Sequence, residues 1–233
     1  MLDAFLLGAI GQVSLVLAGL AAYAVQQRTW VVGGLAGYGG GALLVAIAFD
    51  LVPEASALPG LESALWLLIG AAVFVVADRL VERVFAGDEA TSAGSSPMGI
   101  VVGSVVDGVP ESVIFGISIA SGQPVSVAFL AAVFVSNIPQ AFAPSADLAE
   151  AGWRPLKLAG MWGVVVLACG LAAAAGFVVA EALGVNGDRA AAFAAGGLIA
   201  MLTDSLLPYA FERAKVQAGI WVVVGFAVAL AQA

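Results

Sequence analysis

The sequence predicts an all-α integral membrane protein of eight transmembrane helices, and three observations lead there. Of 233 residues, 62% are hydrophobic and only 10% charged, with a mean hydropathy of +1.08. Soluble domains carry about 25% charged residues, so a water-soluble core of this length has too little polar surface to cover it. Apolar stretches of about 20 residues, the length that crosses a bilayer, recur along the chain, and the breaks between them carry turn residues or charge. No stretch is polar enough for a second, soluble domain, so residues 1–233 read as one transmembrane domain.

The first span covers about 3–25 and ends at Gln26-Gln27-Arg28. Asp3 is the one charge in its first turns; the basic segment of a signal peptide is missing, so this stretch is expected to stay as a helix. The second span, about 31–54, ends before Leu58-Pro59-Gly60, and the third covers about 63–85. Gly87 to Pro97 (GDEATSAGSSP) is rich in small polar residues and reads as a short mobile cytoplasmic loop at about 86–97. Ser121-Gly122-Gln123-Pro124 divides the fourth span (about 98–120) from the fifth (about 124–146). Val185-Asn186-Gly187-Asp188 divides the sixth (about 157–182) from the seventh (about 189–211), and the eighth covers about 216–232. Glycines cluster within these spans, as in Gly33-Gly34, Gly37, Gly39-Gly40-Gly41 and Gly196-Gly197, and small residues let membrane helices approach closely.

Cytoplasmic loops are rich in Lys and Arg. Arg28, Arg79, Arg83, Arg154, Lys157, Arg213 and Lys215 all fall at odd-numbered connections, and only Arg189 falls on the other side. Both termini are therefore expected outside the cell, in a multi-pass protein of the plasma or inner membrane. The few dispersed basic residues exclude a nucleic-acid footprint. Cys169, the one cysteine, excludes an internal disulfide and a thiolate cluster, and reads as a buried small hydrophobe.

A proline–carboxylate pattern recurs inside the spans. The second holds Asp50-Leu51-Val52-Pro53-Glu54 and the fourth Asp107-Gly108-Val109-Pro110-Glu111. The fifth repeats it with uncharged polar residues, Ser136-Asn137-Ile138-Pro139-Gln140, and the seventh has a looser form, Asp204-Ser205-Leu206-Leu207-Pro208-Tyr209. Positions i and i+4 share a helix face, so Asp107 and Glu111 point the same way. Each proline is expected to kink its helix and free the carbonyl four residues back, those of Phe49, Val106, Val135 and Asp204. Side-chain and backbone oxygens aimed at a common point suit hard or borderline divalent cations. A carboxylate at a helix centre costs about 2.5–3.5 kcal/mol on insertion scales. The fourth span has no Lys or Arg to offset Asp107 and Glu111, so these acids call for a cation or for protons. By depth, Asp50 and Glu54 fall toward the outer face, Asp107, Glu111, Asn137 and Gln140 at mid-membrane, and Asp204 toward the cytoplasm. Together they form a ladder of oxygens of the kind a transport path needs.

This layout resembles the ZIP family of divalent-metal transporters, whose fourth helix carries H-N-x-P-E-G. Here those positions read Asp107, Gly108, Val109, Pro110, Glu111 and Ser112, and the related fifth-helix motif reads Ser136, Asn137, Ile138, Pro139, Gln140 and Ala141. Asp50 to Glu54 resembles the H-x-x-P-E that ends the family's second helix, and Asp204 to Pro208 its counterpart on the seventh. The family's histidines are replaced by Asp107 and Ser136, its bridging asparagine by Gly108 and its second glutamate by Gln140. The resemblance implies a ZIP-like bundle and a metal site of Asp107, Glu111, Asn137 and Gln140, with Asp50, Glu54, Ser136 and Asp204 along the path. Without imidazole, Mn²⁺, Fe²⁺ or Mg²⁺ fits at least as well as zinc.

The function expected is divalent-cation transport, with the metal as substrate and no resident cofactor. The alternatives are a proton-coupled or other solute transporter on the same scaffold and a non-transporting regulatory descendant. An enzyme is not expected: the chain has no histidine, and the G-x-G-D context of intramembrane aspartyl proteases does not occur. The expected partners are the lipid bilayer and a divalent metal ion, with a homodimer as the assembly to test for.

Overall fold

The computed structural model describes residues 1–24, 28–85, 97–122, 127–184 and 187–231, and every regular element among them is helical. The expected loop at about 86–97 lies outside the described residues except for Pro97, which opens a helix. In chain order the helices are α1 (Leu2–Ala21), α2 (Thr29–Ala55), α3 (Gly60–Phe85), α4 (Pro97–Ala120), α5 (Val127–Glu150), α6 (Pro155–Leu183), α7 (Gly187–Ala214) and α8 (Val216–Leu230). Each expected span has its helix, with ends moved by a few residues. Seven are long and apolar enough to cross a membrane, and α8 is shorter at 15 residues. It stops at Leu230 and measures about 23 Å at 1.5 Å per residue, against a hydrocarbon core of about 30 Å. Large apolar side chains such as Leu65, Leu68, Leu167, Leu171 and Val223 are exposed on the bundle's outer surface, which needs lipid to cover it. The chain is a multi-pass, all-α membrane protein.

The prolines divide into two kinds. A kink is expected at each motif, but α2 meets Pro53 with a π-helical turn, Ala46–Leu51, and α7 meets Pro208 with another, Leu202–Leu206. A wider i→i+5 turn rehouses backbone groups that the missing proline N–H leaves behind. In α4 and α5, by contrast, Pro110, Pro139 and Pro144 sit inside continuous α-helix.

Glycine sets which helices lie closest. A Cβ at Gly41 would collide with the Val222 carbonyl of α8, and one at Gly225 with the Tyr38 carbonyl of α2. Gly70 and Gly196 stand in the same reciprocal relation across α3 and α7, each against a backbone carbonyl of the other helix. Gly116 on α4 faces the Ala173 carbonyl of α6, while Gly176 on α6 faces the Val113 carbonyl. In bilayers, association rests on this kind of backbone approach because lipid tails are as apolar as Leu. The result is two groups of helices: α1, α4, α5 and α6 in one, α2, α3, α7 and α8 in the other, joined mainly by α2 against α5. Helices α4 and α5, which carry the mid-membrane motifs, hardly touch each other; α1 packs against both.

At one end of the bundle Arg189 of α7 meets Glu62 of α3 at 2.8 Å, with side chains 43% and 34% exposed. Exposed pairs of this kind contribute about 0–1 kcal/mol. Glu62→Gln is therefore expected to move a thermal melting curve only slightly, and a large loss of stability would show the pair to be shielded from solvent.

Candidate functional site

The four mid-membrane residues separate into two pairs. Glu111 of α4 and Asn137 of α5 are both buried, at 1% exposure each. They are joined by Gln12, which lies near the middle of α1 and is fully buried. Gln12 Nε2 donates to Glu111 Oε2 at 3.1 Å, and Gln12 Oε1 accepts from Asn137 Nδ2 at 2.8 Å. Asn137 Nδ2 also lies 3.4 Å from the Gly11 carbonyl. Glu111 Oε1 has no hydrogen-bond partner among the described residues. An unpaired polar atom at such depth costs about 1–3 kcal/mol, more when charged.

Gly108 makes room for this arrangement. A Cβ there would stand 2.7 Å from Cys169 Sγ of α6 and 3.3 Å from the Gln12 amide. Cys169 is buried and free, as expected of a small hydrophobe.

Asp107 and Gln140 form the second pair. Both line an open cavity of about 250 Å³, whose walls also include Asp147, Ser205, Tyr209 and Arg213. Ser205 donates to Asp107 Oδ2 at 3.4 Å. Tyr209 donates to the Pro139 carbonyl at 3.3 Å, and the Arg213 guanidinium stacks 3.9 Å from the Tyr209 ring. The cavity is lined about equally by polar and apolar groups and lies toward the Arg213 end of α7.

Glu54 lines a much smaller space at the other end. A crevice of only about 10 Å³ lies between Glu54, Ser118, Ser121 and Ala190. That is barely room for one water. A third cavity, of about 330 Å³ between α3, α4 and α7, is walled by Phe74, Val106, Pro110 and other apolar residues and offers no ligand atoms.

The remaining path residues are dispersed. Asp50 is half-buried in the π turn of α2 and Glu54 half-buried at its end. Asp204 is exposed in the π turn of α7. Ser136 is fully buried, donates to the Val133 carbonyl of its own helix at 2.9 Å, and packs against Gly39 of α2. Among the described residues no three of Asp, Glu and Cys cluster closely enough to hold a metal ion. A cation at this site thus has to combine a carboxylate with amide, hydroxyl or carbonyl oxygens.

Sequence reasoning passes over Gln12, because it belongs to no repeated motif. The available signal is its place: the one amide inside an otherwise apolar span, with Ser14 and Tyr23 the other polar groups after Asp3. Asp147, Tyr209 and Arg213 also join the site only through packing. Compared with models of known protein families and with curated proteins, the chain matches none.

Proposed function

We propose that this protein transports a divalent metal cation on a ZIP-like scaffold, with Asp107 and Gln140 receiving the ion from the open cavity and Glu111 and Asn137 binding it deeper. The observation that carries this reading is Glu111: a fully buried carboxyl with one bare oxygen, on a helix without Lys or Arg to balance it. An acid kept at that cost, one helical turn from Asp107 in the open cavity, supports a binding site on a transport path. The Lys and Arg distribution puts the open cavity on the cytoplasmic side, since Arg213 and Lys215 mark that end.

A second reading, in which Asp107 and Glu111 carry protons for another solute, draws support from the described residues, among which no three metal-binding side chains cluster. Thermal unfolding of the purified protein against Zn²⁺, Mn²⁺, Fe²⁺, Cd²⁺ and Mg²⁺ separates the two. A ligand at 100 times its Kd stabilises by about 2.7 kcal/mol. The cation reading expects a metal-selective rise in melting temperature that Glu111→Gln removes. Absence of any rise, with stability changing instead as pH is lowered, would put the proton reading first.

A further inference from the structure

We infer that Gln12 is a positioning residue of this site: its amide, standing beside Gly108, clamps Glu111 through Oε2 and leaves Oε1 as the one carboxylate oxygen offered to the ion. The inference rests on reading Glu111 as a cation ligand.

Hydrogen-bonding capacity fixes the direction of the relay. The Gly11 carbonyl only accepts, so Asn137 must turn its Nδ2 that way, 3.4 Å off. The same amino group donates to Gln12 Oε1. Gln12 Nε2 is thereby aimed at Glu111, where Oε2 accepts. Every link has one donor and one acceptor, and the Asn137 carbonyl oxygen Oδ1 stays outside the relay.

Space fixes its position. Helix α4 has no side chain at Gly108, and the Gln12 amide takes up that volume from α1, with Cys169 Sγ closing the other side. A larger residue at 108 would push the amide away from Glu111. Since α4 and α5 hardly meet, the amide of α1 is also what sets the distance between Glu111 and Asn137. An amide serving only to tie helices together has no need to leave half of a buried carboxylate bare. This one engages Oε2 and stops there.

The test uses the full chain purified in detergent, with Gln12→Met as a near-isosteric variant that cannot donate. The Glu111 carboxyl band in the infrared spectrum, identified by its loss in Glu111→Gln, is expected to shift in Gln12→Met with no cation present. The Kd for Mn²⁺, followed by melting shift, is expected to rise about tenfold to hundredfold, as when a partner that orients a metal ligand is lost. The cation-free melting temperature is expected to fall as well, since Glu111 Oε2 and Asn137 Nδ2 both lose the amide. An unmoved Glu111 band would overturn the clamp. So would a large fall in the cation-free melting temperature with Kd unchanged, the mark of a packing residue. Should Gln12→Met fail to fold, Gln12→Asn keeps an amide but withdraws it by one methylene and is expected to move the same band, with an unmoved band again overturning the inference. If wild-type protein binds no divalent cation, the transport reading falls, while the infrared band still decides whether Gln12 holds Glu111.

Discussion

Gly116→Ala is expected to strip the protein of much of its stability, although it adds a single methyl group. The new Cβ would run into the Ala173 carbonyl of α6, and a backbone oxygen cannot swing aside as a side chain can. The helices would have to separate, which also disturbs the facing contact of Gly176 with Val113. Overpacking costs about 1–3 kcal/mol in cores that can adjust. The cost here is expected at or above the top of that range. Gly160→Ala provides the comparison, since a Cβ at Gly160 meets nothing within 4 Å. Alanine there is expected to be neutral or to stabilise by up to about 1 kcal/mol, the helix-propensity gain over glycine. Detergent melting curves of both variants decide the matter. Equal melting temperatures would mean that α4 and α6 are not held by backbone contact.

Glu111→Gln is expected to reduce divalent-cation uptake into liposomes by about a hundredfold or more, since losing even an outer partner of a metal ligand costs 10–100-fold. The substitution keeps the volume and the contact with Gln12, because a glutamine carbonyl accepts as a carboxylate does. It removes the charge that the bare oxygen carries, so lost uptake with intact folding would isolate the ligand role. Asp107→Asn should act differently. Asp107 faces the open cavity, and on the proposed function its charge would gather cations there, so the effect should fall mainly on the concentration giving half-maximal uptake. Uptake unchanged in Glu111→Gln would remove Glu111 from the path.

Helix number and order and the lipid-facing character are legible in the sequence, because span length and apolar composition are local properties. The two π turns are less so. Three motifs share one proline spacing and the fourth sets Pro208 one residue further on, yet the turns before Pro53 and Pro208 both widen, so spacing does not separate them from Pro110 and Pro139. The split of the site into a sealed pair and a cavity pair is not legible either. Adjacent motifs on the fourth and fifth spans invite the idea of direct contact, whereas α1 stands between them. Gln12 meets Glu111 and Asn137 across 99 and 125 positions of sequence. No periodicity within one span carries that information.

That separation has a consequence for synthesis. Chains elongate at about 5–20 residues per second, so about 5–20 s pass between the appearance of Gln12 and that of Glu111, and longer before Asn137 follows. During that interval α1 lies in the bilayer with a bare amide at its centre. The relay through Gln12 can therefore close only once the fourth and fifth helices have been made.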